Sequence, residues 1–464
     1  MPRGFGARYP PPALPPFMRL RLVVSLSLLA ASPVVAPLAA QGLRSQIAQL
    51  FIFGPGEDPL FLAGSADPNN PTSVQAHGSH YVPSSSSQNG TIIGFLTDAI
   101  GGNIANTPIG STSGGETFRF VGGVPVKTST SAGPIFAERA MTLGRGRALV
   151  GVNYSNFRFT TLRGTPLNDL QLNFTHENVD FAGCDAQQGD DCSKMGVPVL
   201  ENDVIAVKLA LDLKVRVTSF YVTYGLTDRL DVSAVVPVVS TSLHGESTAQ
   251  VIPFGGPTAV HFFGGTPTNP VLTTGRTVLG EATGLGDIAM RAKLRVSDTP
   301  HASLALLGEA RFATGAVEDL LGAGDFAARG LAVLTSRLGD FSPHANVGYL
   351  YRRSLTQNDA VLATGGFDER INDHVTLAAD IVSELQVGES TLKLPGTVTY
   401  DAPFRRTVAP TQIPDTRDDV VNGSFGFKIA PRNDVTLVLN ALVPLNRGGL
   451  RTDRTLTAGV EVTF

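Results

Sequence analysis

Between Ile205 and Val217 every second residue is aliphatic: Ile205, Val207, Leu209, Leu211, Leu213, Val215 and Val217. Ala206, Lys208, Ala210, Asp212, Lys214 and Arg216 fill the positions between them. Successive side chains of a strand point to opposite faces, so this pattern makes one apolar and one charged face. Wound as a helix, the same residues would scatter lysine and aspartate among the valines, so the period of two decides for a strand. A soluble antiparallel sheet with one wet face alternates in the same way, and the segment alone leaves soluble sheet and membrane barrel open.

The pattern recurs. In DIAMRAKLRV, Ile288, Met290, Ala292, Leu294 and Val296 oppose Asp287, Arg291, Lys293 and Arg295. In TLTAGVEVTF, Leu456, Ala458, Val460, Val462 and Phe464 oppose Thr457, Glu461 and Thr463. Repeated alternating segments of about ten residues, separated by turns, are the signature of an outer-membrane β-barrel. The aromatic final residue resembles the terminal strand of such barrels in bacteria. The expected fold is all-β, an antiparallel transmembrane β-barrel of about fourteen strands over 115–464, an even number as such barrels require. Strands are predicted near 115–125, 147–161, 168–179, 203–226, 230–242, 287–297 and 301–313. Others are predicted near 325–338, 341–352, 373–387, 390–400, 418–430, 434–443 and 455–464. The links RGTPLN, TDR, SDTP, LGD, GES and PRND read as short turns alternating with long loops. The run from Asp203 to Thr227 is long for one membrane strand, and its aliphatic residues change from odd to even positions after Val217. A one-residue slip at a β-bulge is the expected cause.

Ahead of the barrel, MRLRLVVSLSLLAASPVVAPLAA has a basic start, an apolar run and small residues up to Ala40. This predicts a secretory signal over 1–40, with Met18 a candidate start, and hence an outer-membrane destination. Pro33 and Pro37 interrupt the run well short of the roughly 20 apolar residues of a membrane helix. The stretch 41–114 does not alternate. Its apolar clusters Leu50, Phe51, Phe53 and Leu60, Phe61, Leu62, with a later stretch of helical spacing around Ile92 to Ile104, suggest an irregular or helical segment. It would plug the lumen or pack at the periplasmic mouth; a leader that merely covers the first strand is the plainer alternative. In an exported chain the close pair Cys184 and Cys192 reads as a disulfide, and with no nearby histidine it is incomplete as a zinc site.

Net charge is −4 and only 16% of residues are charged, which gives no support to nucleic-acid binding. Outer-membrane lipid and a small solute are the expected partners. No nucleophile elbow, zinc-helix motif or phosphate loop occurs, so neither enzymatic activity nor a cofactor is expected. Charges are cheap inside a barrel and costly in lipid. Lys208, Asp212, Lys214, Arg216, Arg291, Lys293, Arg295, Glu309 and Arg311 are therefore the candidate lumen-facing residues, stiffening the wall or guiding solute. The chain has no Trp and 8 Tyr, so Tyr221, Tyr224, Tyr349 and Tyr351 would supply only a thin interfacial girdle beside 25 Phe.

From about Tyr221 onward the sequence resembles the meta-pathway phenol-degradation-like outer-membrane transporters. YGLTDRLDVSAVVPVV, GLGDIAMRAKL, FATG, NVGY and LNALVPL carry the likeness, with Ala313-Thr314-Gly315 where that family often has Pro-Thr-Gly. The architecture is also similar to that of the long-chain fatty-acid outer-membrane transporters. The resemblance implies a channel for passive uptake of small hydrophobic or aromatic solutes. The alternative is a structural or adhesive barrel without transport.

Overall fold

The computed structural model describes residues 42–53, 92, 94–100, 102–103, 118–121, 124–127, 131–175, 204–253, 262–266, 269–394, 396–400, 405–432 and 434–464. The expected signal segment, Cys184 and Cys192, and Leu60, Phe61 and Leu62 lie outside these residues. The longer strands, in chain order, are β1 (Ala148–Leu162), β2 (Leu170–Thr175), β3 (Val204–Gly225), β4 (Leu230–Ile252) and β5 (Thr273–Leu285). They continue with β6 (Ile288–Asp298), β7 (Ala302–Phe312), β8 (Ala327–Ser336), β9 (Phe341–Arg352) and β10 (Ala360–Asn372). The last are β11 (Val375–Gln386), β12 (Val420–Arg432), β13 (Val435–Pro444), the short β14 (Leu450–Thr452) and β15 (Thr455–Thr463).

Starting from β4, the strands β6 to β13, then β15, β1 and β3, pair in turn and antiparallel, and β3 pairs back onto β4. This closed barrel has 12 strands. β5 and β2 extend the sheet without entering the ring, β5 along the upper part of β4 and β2 along the upper part of β3. Four segments separate this ring from the predicted strands, one of them the expected strand at 168–179, which is β2 and stays outside the ring. The expected strand at 115–125 contributes Phe118–Val121 to a separate hairpin, and 390–400 supplies no ring strand. β10, whose Gly365-Gly366 pair blurs its alternation, is a ring strand that the sequence pattern does not reveal.

The links at 226–229, 299–301, 337–340, 373–374 and 433–434 all fall at one end of the barrel, together with the end of β15. In barrels of this type the short turns face the periplasm. RGTPLN and GES lie at the opposite, long-loop end, because β2 folds back along β3 rather than crossing the membrane and the stretch after GES adds no ring strand before β12.

The outward face at mid-barrel is apolar and exposed, with Phe220, Met290, Leu306, Val347, Ile381, Phe425, Leu439 and Leu456 among its residues. The inward face is polar, with Ser155, Arg291, Glu309, Asn346, Asp380 and Glu461 all buried. An apolar exterior around a polar, closed interior defines a transmembrane β-barrel.

β3 and β4 overshoot this belt. Their pairing runs from Val204↔Ile252 to Gly225↔Asp231 with no shift, and β3 pairs with β1 equally regularly, so the expected bulge is absent. Odd residues of β3 point inward along its whole length. What changes after Val217 is the surroundings. Above it, even residues meet water and odd ones meet an apolar core; below it, Phe220, Val222 and Tyr224 meet lipid while Ser219 and Thr223 meet the polar lumen. The register shifts that do occur in the ring, between Arg295/Ser297, Arg370/Asn372 and Ile429/Arg432, sit beside the short turns.

Candidate functional site

Of the nine expected lumen-facing charges, Arg291, Lys293, Glu309 and Arg311 occupy inward, buried positions. Glu309 receives Arg291 at 2.5 Å, Arg329 at 2.7 Å and Arg311 at 2.8 Å. Arg295 shares their parity but sits by the turn, bonded to Asp298 at 3.3 Å and to the carbonyl of Asp228 at 2.8 Å. Lys208, Asp212, Lys214 and Arg216 stand on the outer face instead, which corrects the expectation for them. The physical reason is the overshoot of β3: above the belt the outer face is wet, so charge is placed there at little cost. Lys208 pairs with Asp169 at 2.8 Å, and Asp212 with Lys214 at 2.8 Å and Arg158 at 3.1 Å. Among the girdle tyrosines, Tyr224, Tyr349 and Tyr351 face outward, whereas Tyr221 points inward and donates to Glu461 at 2.9 Å.

Residues 131–143 form a strap through the lumen near the short-turn end. All but Phe136 are buried. Ala132 N–H donates to Thr376 Oγ1 (2.9 Å), Ala140 N–H to Thr335 Oγ1 (3.0 Å) and Leu143 N–H to Asp231 Oδ2 (3.0 Å). With its amide turned to suit, Asn346 accepts from Glu138 N–H at 2.7 Å and donates to its carbonyl at 3.1 Å. An extended segment alone in a barrel has no neighbouring strand, and these wall side chains take up the backbone groups that would otherwise be buried unpaired. Glu138 faces Arg291 at 3.6 Å and Lys293 at 4.0 Å; Arg139 pairs with Asp368 at 3.3 Å and donates to Ser131 Oγ at 2.6 Å. Ile135 packs with Ala378 and Val438, and Ala140 with Ala305, Leu307, Leu331 and Val333. The strap thus reaches wall strands on several sides of the ring. The sequence carries no alternation or motif in SAGPIFAERAM to announce it.

The described part of 41–114 packs at the other end. Helix α1 (Leu43–Gln49) and the helical residues 94–100 and 102–103 are joined by Arg44 and Asp98 at 2.7 Å. Leu43, Ile47, Leu50, Phe51, Ile92, Phe95, Leu96 and Ile100 merge with the inward face of β3, β4 and β5 into one apolar core. Leu50 and Phe51 are fully part of it, Phe53 leans on it, and Ser247 Oγ donates to the Leu50 carbonyl at 2.6 Å. These residues cap the long-loop end; the strap in the lumen near the short turns comes from a stretch that the sequence pattern assigns to the barrel.

Beneath the cap lies a cavity of about 160 Å³. Phe95, Ala99, Phe157, Val382, Leu442 and Leu450 give it apolar walls; Gln357, Glu384, Gln386, Asn422, Arg352 and Arg451 give it polar ones. Arg352 is paired with Glu384, and Asp418 at the rim with Arg163 at 2.7 Å. Arg451 is 5% exposed and donates to the Val421 carbonyl (2.8 Å) and Asn422 Oδ1 (2.6 Å). Its Nε finds no hydrogen-bond partner, and no carboxylate of the described residues lies within 4.0 Å of the guanidinium. Burial, only partly opposed by the Glu384 carboxylate, pushes Arg451 down to about 10.

Fold and lumen define a transmembrane β-barrel that is strapped at one end and capped over a cavity at the other. No family model matches the sequence, so the family likeness carried by YGLTDRLDV and GLGDIAMRAKL remains a resemblance. No curated protein matches either. Among solved structures the chain is similar to an outer membrane channel from Pseudomonas putida F1, with TM-score 0.39 and 14% identity over 70% of this chain and 98% of that one. A Pseudomonas aeruginosa FadL homologue aligns with TM-score 0.30 and 10% identity over 69% and 90% of the two chains. The P. putida toluene transporter TodX aligns with TM-score 0.30 and 10% identity over 68% and 89%.

Proposed function

We propose that the protein is an outer-membrane channel for the passive uptake of small, largely hydrophobic or aromatic solutes. The observation that carries this reading is the cavity inside the closed barrel, lined by carbon from Phe95, Phe157 and Leu442 beside polar side chains. A barrel whose task is only structural gains nothing from an amphipathic space of about 160 Å³ inside its wall. A site of this size admits a monocyclic compound, since a buried cavity of about 150 Å³ accepts benzene. On this reading a solute enters under the cap, rests in the cavity and passes when the strap shifts. The strap, held by polar contacts to separate strands, keeps ions from leaking meanwhile.

The test is uptake into proteoliposomes. Entry of phenol well above that in protein-free vesicles, with glucose and ions excluded, is the expected result. Phenol entry no faster than in empty vesicles would sink the channel reading.

A further inference from the structure

The cavity holds a chemical feature that a purely hydrophobic cargo does not use. Arg352 is answered by Glu384, and Asp418 by Arg163. Arg451 is left with carbonyl and amide partners alone, and its Nε has none among the described residues. A guanidinium held at 5% exposure with no carboxylate at ion-pair distance, and only the more remote Glu384 to oppose its burial, is an expensive arrangement, because a buried charge needs a counterion to offset its lost hydration. The same side chain lines the cavity. The rest of the lining includes carbon: Phe95 and Ala99 from the cap, Phe157 from β1 and Leu442 from β13.

We propose that this cavity is a binding site for a small aromatic carboxylate, its ring lying among Phe95, Phe157 and Leu442 and its carboxylate on Arg451. The proposal rests on the channel reading above and sharpens it: the preferred solute is an organic anion rather than a neutral hydrocarbon. Arginine suits the role because its charge is permanent and its planar donors match a carboxylate. The ring supplies burial, and the anion supplies the countercharge that the wall withholds.

Benzoate and benzamide form the test pair, since they share size and ring but differ in charge. Equilibrium dialysis of the full-length protein in detergent should show benzoate bound about tenfold or more tightly than benzamide, the low end for a charge-assisted hydrogen bond. Arg451→Gln should bring benzoate down to the benzamide level, and Arg451→Lys should restore part of the preference. Ala99→Phe, which fills the cavity from the cap, should abolish binding of both. Equal affinities in the unaltered protein would overturn the proposal, with no variant needed. So would a benzoate preference that survives Arg451→Gln, or binding unaffected by Ala99→Phe. Phenol uptake without benzoate preference would leave the channel and remove this site; benzoate binding without uptake would do the reverse.

Discussion

Arg139 and Asp368 meet inside the barrel with their charged atoms 3.3 Å apart and only 1% and 0% of their side chains exposed. One belongs to the strap and the other to β10, so this contact ties the lumenal segment to the wall. Ser131 Oγ bonds to both, closing a small network. Stranding one member of such a pair costs about 3–5 kcal/mol.

Asp368→Asn should therefore loosen the strap while leaving the hydrogen-bonded ring intact. In planar bilayers the variant should show frequent open bursts where the unaltered protein is nearly silent. Identical traces would mean that Thr376, Thr335 and Asp231 hold the strap without the ion pair.

Replacing residues 131–143 by a Gly/Ser stretch of equal length should give a steadily conducting barrel. A chain starting at Glu116 should lose the cap yet stay poorly conducting, because it keeps the strap. Conductance of the two forms, measured side by side, separates cap from plug. High conductance in the truncated chain alone would reverse the assignment.

Three substitutions test which face meets lipid. Leu306→Arg puts a charge on the outward belt and should weaken folding into bilayers by about 2–4 kcal/mol at mid-membrane depth. Lys214→Ala should leave folding unchanged. Leu211→Arg should spare insertion but disturb the apolar core beneath α1, seen as faster proteolysis near the N-terminus. Poor insertion of Leu211→Arg, equal to that of Leu306→Arg, would contradict the inward placement of Leu211.

Phe95→Ala removes a buried ring from the cap, a change that typically costs about 3–5 kcal/mol. Limited proteolysis should then cut within the first hundred or so residues while the 148–464 barrel stays protected. Cleavage at the same rate as in the unaltered protein would show that the cap does not depend on this side chain.

How much of this was legible beforehand follows from what alternation reports. A period of two in β3, β6 and β15 establishes strands, and their repetition establishes a barrel. It does not say which face is inside. At Leu211 the apolar side is buried against the cap, and at Leu306 it is bathed in lipid; both look the same in sequence. The lysines opposite Leu211 were accordingly expected in the lumen and stand in water. β10 is hard to see in sequence because Gly365 takes an outward position, where an apolar side chain would mark the lipid face, and Gly366 an inward one, where a Cβ would come within 2.3 Å of the Ala379 carbonyl and of Asp380. The strap was invisible for a different reason. Its partners Thr335, Asn346, Asp368 and Thr376 are spread over four strands, and nothing local in SAGPIFAERAM points to them.

The unbroken run of β3 through the membrane surface acts as a depth gauge. Arg216 and Phe220 lie on the same outward face, one above the waterline and one below it. Sinking the barrel would draw Arg216 into hydrocarbon, and raising it would lift Phe220 into water. Neither displacement is cheap, so in bilayers of differing thickness the surrounding lipid, rather than the protein, makes the adjustment. The cap and the cavity mouth are thereby carried at a constant height above the surface, where dissolved molecules arrive.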